Sequence, residues 1–172
     1  SEEDDCGVCN GDGSSYEYFD VTDVVILVQA IIDETWSSDE LYCSDFNGDG
    51  NLDIVDIVQI VDNILGDARL TDATEVTLSK DAQSLALDAD GFVGGIQMTI
   101  SHSENFTIEF TGTSMVSDYR TNGNQTTMIV AAPESGNLFT ASSNFIIEEV
   151  VAATAAGELE VHIPSEFGLS GA

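Results

Sequence analysis

The sequence predicts an α+β protein of two parts: a small two-helix module over residues 1–66 and an antiparallel β-sandwich over residues 74–172, with a linker at 67–73. Two observations support this division. The first part repeats apolar residues at helical spacing, whereas the second alternates polar and apolar residues in short runs between turns. Gly66, which opens the stretch GDARLTD, marks the joint between them.

The two predicted helices carry the same apolar stripe. In the second helix the stripe consists of Ile54, Ile57, Val58, Val61, Ile64 and Leu65. The first helix repeats it 33 residues earlier with Val21, Val24, Val25, Val28, Ile31 and Ile32. Residues 5–33 and 45–65 are therefore two copies of one unit. Valine and isoleucine also suit strands, but the stripe and the acidic loop before each run favour helices.

The stretch DFNGDGNLDIVD at 45–56 offers oxygen ligands at the spacing that a calcium loop requires. The expected ligands fall at positions one, three, five, seven, nine and twelve of this loop: Asp45, Asn47, Asp49, Asn51, Asp53 and Asp56. Gly50 stands at position six, where the chain must turn sharply. The last ligand is Asp, whereas an ordinary EF-hand has Glu. A solvated acidic turn would explain the turn residues but not the whole ligand series. Magnesium is the weaker candidate because it demands a stricter octahedron.

A second calcium site is expected in the first copy, although its loop is degraded. Four extra residues interrupt it, and Val8 stands where the first ligand would be. The remaining candidate ligands are Asn10, Asp12, Asp20 and Asp23.

The charge balance limits the classes of partner. The chain has 32 acidic and three basic residues, a net charge of −29. This disfavours nucleic acids and anionic membranes, both of which are bound through Lys and Arg. Bound divalent cations and external salt would offset the self-repulsion. Since no signal peptide or apolar run of transmembrane length is found, we expect a soluble, mature, secreted protein.

The cysteines and two glycosylation motifs agree with secretion. Cys6, Cys9 and Cys43 are odd in number, which predicts one disulfide with a leftover thiol, or an intermolecular bridge. A redox or zinc role for CGVC is disfavoured because a βαβ context and a fourth zinc ligand are lacking. The motifs at 105–107 and 124–126 predict N-glycosylation.

The duplicated loop followed by one helix resembles a type I dockerin module over about residues 5–66, and DDCGVCNGDGSS at 4–15 resembles a thrombospondin type 3 calcium repeat. The dockerin resemblance implies that calcium folds the module and that its helices dock on a cohesin. Its contact positions correspond here to Val21, Thr22, Ile54 and Val55. A bridge from Cys6 to Cys43 would clamp the two copies, with Cys9 to Cys43 as the alternative.

Both helices also carry apolar residues off the main stripe: Ile26, Leu27, Ala30, Val55 and Ile60. Two short helices cannot bury apolar residues on every side by themselves. Either a partner protein or the second domain of this chain must cover them. The expected partner surface combines the dockerin-type contact positions with four of these off-stripe residues. It consists of Val21, Thr22, Ile26, Leu27, Ile54, Val55 and Ile60.

The second half predicts about seven strands: TEVTLSK, QSLALDA, FVGGIQMTI, NFTIEFT, TTMIVAA, NFIIEEVV and ELEVHI. DGFVGGIQMTIS at 90–101, with the later GNLF and FIIEEVVAATAAGELEV, resembles a cohesin-like domain of the Ig-like sandwich type. The runs are too few for that fold. The sandwich is therefore smaller, cut short, or completed by a strand from a neighbour.

Enzyme activity is not expected. The sequence has no Gly-x-Ser-x-Gly elbow and no phosphate loop, and His102 and His162 are isolated in it. The sequence instead predicts a secreted, calcium-dependent adhesion or scaffold protein, either free or attached to the cell surface, whose helices bind the sandwich of the next copy to form filaments. Two alternatives remain: a hetero-docking module that anchors a larger enzyme to a scaffold, and a calcium-stabilised carbohydrate-binding module.

Overall fold

A computed structural model describes residues 21–34, 50, 52–66 and 71–164, without the side chains of Thr22 and Asp23. Two helices lie in this part, α1 (Val21–Asp33) and α2 (Ile54–Leu65). The ten strands that follow are β1 (Glu75–Lys80), β2 (Ser84–Ala89), β3 (Gly95–His102), β4 (Ile108–Phe110), β5 (Val116–Asn122), β6 (Gln125–Ala131), β7 (Gly136–Ala141), β8 (Phe145–Thr154), β9 (Gly157–Glu158) and β10 (Glu160–His162).

The predicted helices are confirmed, and their ends have clear local causes. Asp53 caps α2 at its start with extended backbone angles (φ −152°, ψ −170°). At its end, Gly66 takes a positive φ of 54° and its N–H bonds to the carbonyl oxygen of Asp62. A positive φ is costly for a residue with a side chain, so glycine suits this position at the end of the helix.

The strands form a two-sheet sandwich, as predicted. The first sheet has the order β10-β1-β2-β7-β4 and the second the order β5-β6-β3-β8-β9. Among the described strands, neighbours are antiparallel except β1 and β10, which pair in parallel. Inward side chains of both sheets make one apolar core that includes Leu78, Leu87, Met98, Met128 and Phe139.

The predicted number of strands is wrong, because the described chain has ten rather than about seven. Strands β5 and β7 were missed, and the run ELEVHI divides into β9 and β10. The expectation of a sandwich short of strands loses its basis, since both sheets have five strands within this part of the chain.

The helices form a third layer on the outer face of the second sheet. In β6, Met128 and Val130 belong to the sandwich core, whereas Ile129 and Ala131 belong to a second core together with residues of both helices. Burial on both faces explains why this strand is a continuous apolar run. Neither helix of the described chain has the length and apolarity that crossing a bilayer requires.

Candidate functional site

The start of α2 is built around two carboxylates from the predicted calcium loop. Oδ1 of Asp53 accepts the N–H of Val55 at 3.0 Å. Oδ2 of Asp56 accepts the N–H of Asp53 at 3.1 Å, which completes a reciprocal capping box. Asp56 is fully buried, with 0% of its surface exposed. The two side chains thus satisfy helix N–H groups that would otherwise lack a partner.

This end of the loop also carries the last two of the predicted calcium ligands, Asp53 and Asp56. A buried carboxylate is costly unless hydrogen bonds or a cation compensate its charge, and Asp56 stands at the closing position of the loop. Gly50, at the turning position, has a φ of +83°, in the region that favours glycine. The hydrogen bonds that these two aspartates make in the structure are those of a helix cap.

Seven of the ten predicted calcium ligands lie outside the described residues. Outside the described residues lie Asp45, Asn47, Asp49, Asn51, Asn10, Asp12 and Asp20, as do Cys6, Cys9 and Cys43. Asp23 and Thr22 lie in α1, but their side chains are outside the described part. Of the six predicted ligands in the second loop, Asp53 and Asp56 are within the described residues.

Helix α2 meets the second sheet at two glycines. A Cβ atom on Gly94 would lie 2.8 Å from Cγ1 of Val58, and one on Gly95 would collide with the side chain of Ile54. The absence of side chains at the start of β3 therefore lets α2 approach the sheet closely. The pair was visible in the sequence as the GG of FVGGIQMTI, but its role in helix packing was missed.

Polar contacts fix the direction of the helices on this sheet. The N–H of Ile54 donates to Oε1 of Gln97 at 3.1 Å, and Nε2 of Gln59 donates to the carbonyl oxygen of Ala155 at 3.1 Å. For α1, Nη1 of Arg120 donates to the carbonyl oxygen of Asp33 at 3.2 Å. A cation at the C-terminal end of a helix also compensates its dipole. These bonds add orientation to an otherwise apolar interface.

The expected partner surface requires correction. Leu27, Ile54 and Ile60 are buried in the core that the helices share with the second sheet. The chain's own sandwich covers them, so an outside partner does not cover them in this arrangement. Val55 is half-buried, whereas Val21 and Ile26 are exposed by 44% and 53%. Among the residues of the predicted surface whose side chains are described, Val21 and Ile26 are the ones that face solvent.

Neither histidine is isolated in the fold. His102 stacks on Phe106 with 3.8 Å between ring centroids. Its Nδ1 donates to the carbonyl oxygen of Ser103 at 2.7 Å, and its Nε2 lies 2.8 Å from Oγ1 of Thr126. His162 contacts the carboxylates of Glu75 and Glu160. His102 thus lies at the end of β3, held by a ring stack and two polar contacts.

Both glycosylation motifs lie near His102 at one end of the sandwich. Asn105 is exposed with a φ of +61°, and Asn124 is exposed in the turn between β5 and β6. Nδ2 of Asn124 donates to the carbonyl oxygen of His102 at 2.9 Å. Solvent can reach both asparagines in the folded chain.

A cleft of about 760 Å³ opens beside the end of α2, lined by Leu65 and by residues 89–93, 113–115 and 132–135. Asp90 stands on its wall and accepts hydrogen bonds from the hydroxyl of Thr74 and from the N–H groups of Thr74 and Glu75. These bonds hold the pKa of Asp90 at about 2. Asp90 thus braces the start of β1.

Comparison with known proteins gives one structural likeness. No protein-family model matches the chain, and no curated protein matches it. A solved structure similar in outline is the non-cellulosomal cohesin from the hyperthermophilic archaeon Archaeoglobus fulgidus, with a TM-score of 0.37, 13% identity, and coverage of 54% of this chain and 86% of that chain. A likeness at this level assigns no family. The geometry itself defines a β-sandwich with a helical layer on one face.

Proposed function

We propose that the chain is a secreted, calcium-dependent structural or adhesion protein in which dockerin-like helices dock on a cohesin-like sandwich. The observation that carries the proposal is the apolar interface between the helices and the second sheet. Ile54, Ile57 and Val58 of α2 share one core with Ile129 and Ala153 of the sheet. A helical unit seated on a sandwich in this way suits a role in binding rather than in catalysis.

Calcium enters the proposal through Asp53 and Asp56. A bound ion would neutralise part of the charge that these carboxylates bring to the start of α2. The same turn carries the N–H of Ile54, which bonds to Gln97 of the sheet. Ordering this turn would therefore order the helix–sheet interface as well, and would make docking dependent on calcium.

Assembly between copies would use the same interface. If the helices of one copy occupy the sheet of the next, they bury the same residues that they bury within a chain. Such an exchange requires no new surface and generates a head-to-tail series. Ile26, exposed on α1, would stay available in either arrangement.

Co-purification of two differently tagged copies tests this proposal. The copies are mixed at high concentration in calcium, diluted and separated on one tag. We expect both tags in the bound fraction in calcium, and loss of the second tag in a chelator. When both copies carry Gly95→Val, which fills the space of Ile54 on every sheet, they should not exchange. Circular dichroism would verify that this variant is folded.

Two results would contradict self-assembly. One is a strict monomer by light scattering in calcium at all concentrations. The other is a monomer that captures a foreign β-sandwich protein, which would favour hetero-docking.

Carbohydrate binding lacks support in the described chain, where the large hydrophobic side chains that are exposed are all aliphatic: Val21, Ile26, Ile146 and Ile163.

A further inference from the structure

Three potential metal ligands meet on the parallel edge pair of the first sheet. The register places Glu75 of β1 beside Glu160 of β10, and Thr77 beside His162. Nε2 of His162 lies 2.7 Å from Oε1 of Glu75 and 3.6 Å from Oε1 of Glu160. One ligand atom from each of the three residues lies within 4.8 Å of the others. The pairing of β1 and β10 thus brings three potential metal-ligand atoms close together.

The pairing of the two glutamates is unfavourable by itself. Like charges directly opposite each other on neighbouring strands destabilise a sheet. Two basic residues lie in the described chain, and both are engaged elsewhere. Nζ of Lys80 donates to Oδ1 of Asn144, and Arg120 bonds to Asp33. Within this part of the chain, neither of these two basic side chains is bonded to the glutamate pair.

We propose that Glu75, Glu160 and His162 bind a divalent transition-metal ion such as zinc. Imidazole nitrogen and carboxylate oxygen together are typical zinc ligands, whereas calcium prefers oxygen alone. The three side chains are 45–72% exposed, so water would complete the coordination. This site is separate from the calcium loop, which offers oxygen ligands, and it does not depend on the proposed docking function.

The bound metal would fasten β10 to the rest of the sheet. Strand β10 has three residues, and each pairs with one residue of β1. Such a short edge pairing contributes few hydrogen bonds. A metal ion held by Glu75 on one strand and by two residues on the other would cross-link the strands and raise the stability of the folded chain.

The imidazole NMR spectrum of the full-length chain provides a direct test, since the sequence contains two histidines. Zinc chloride is added in the presence of excess calcium, which occupies general acidic sites. We expect one equivalent of zinc to shift the ring nitrogen signals of His162 and to leave those of His102 unchanged. His102 serves as an internal control because it stacks on Phe106, away from the proposed site. Reading the imidazole also excludes any signal from zinc bound by the cysteines.

Variants then test the two carboxylates. Glu75→Gln and Glu160→Gln should each weaken the binding reported by His162 by about 10-fold or more, since losing a ligand costs at least what losing a supporting residue costs. Glu109→Gln, an exposed glutamate on β4, removes the same charge elsewhere and should leave the affinity unchanged. The proposal is overturned if zinc leaves the His162 signals unchanged. It is also overturned if all three glutamine variants bind equally.

Discussion

The side chain of Ile54 occupies the space that a Cβ atom on Gly95 would require. Ile54 is the first residue of α2, and Gly95 is the first residue of β3. The helical layer and the sandwich are therefore fitted to each other at this point. A methyl group on Gly95 would collide with Cδ1 of Ile54, so one of the two groups would have to shift.

This relationship predicts a non-additive pair of mutations. Gly95→Ala should destabilise the fold by about 1–3 kcal/mol through overpacking. Ile54→Ala should cost about 2–5 kcal/mol because it leaves a cavity. In the double variant the new methyl group lies in the vacated space, so the total should fall below the sum by about 0.5–3 kcal/mol. Urea unfolding at a fixed calcium concentration measures all three values.

If the losses in unfolding free energy of the two single variants simply add in the double variant, the side chain of Ile54 does not limit the space at Gly95. A suitable comparison is Ile54→Ala combined with Met128→Ala. Met128 lies in the other core, between the two sheets, so that pair should add without coupling.

The proposed calcium site predicts that Asp56→Asn is more harmful with calcium than without it. Asn retains a carbonyl oxygen that can accept the N–H of Asp53, so the cap is largely kept while the charge is lost. The wild-type chain should gain about 2.7 kcal/mol of stability at free calcium 100-fold above the dissociation constant, and the variant should gain little. Thermal unfolding in calcium and in a chelator measures the difference.

Asp88→Asn removes the same charge from an exposed position on β2 and should keep the full calcium effect. If Asp56→Asn lowers stability equally with and without calcium, the aspartates at the start of α2 act as caps alone.

The sequence predicted the elements whose patterns have one buried face. The predicted apolar stripe runs from Ile54 to Leu65, and α2 has these same bounds in the structure. Gly66, which was predicted to mark the joint, follows the last residue of the helix. Strand β5 escaped prediction because its segment VSDYRTN is largely polar, and its place in the sheet comes from pairing with β6 over its whole length. Such pairing is a tertiary effect that the local pattern does not contain.

The candidate sites show the same limit. The loop ligands are close in sequence, so their spacing suggested a site. Glu75 and His162 are far apart in the chain and meet through the parallel pairing of β1 and β10, which has no local signal. The burial of Leu27 and Ile60 was likewise ambiguous, because an apolar residue has the same pattern whether its own chain or a partner covers it.

The net charge of −29 predicts that salt stabilises the fold. At about 0.01 M salt the charges interact over roughly 30 Å, whereas at about 1 M they interact over roughly 3 Å. Repulsion between the carboxylates should therefore weaken, and the melting temperature should rise across this range. Sodium and potassium chloride should act alike if screening is the cause. A melting temperature that stays flat or falls would show that repulsion does not limit stability.

The hydrogen bonds to Asp90 predict its behaviour at low pH. The Thr74 hydroxyl, followed by the N–H groups of Thr74 and Glu75, lowers the pKa of Asp90 from 3.8 to about 2. Because the folded pKa is the lower one, the ionised carboxylate stabilises the fold fully above pH 3.8, and this contribution is lost as the pH falls through about 2.

Thr74→Val removes the largest cause of the lowered pKa, so the carboxyl signal of Asp90 in an NMR titration should shift towards the ordinary value. Thr77→Val, three residues further along the chain in β1, should leave it at about 2. An unchanged titration in Thr74→Val would show that the hydroxyl does not hold this carboxylate.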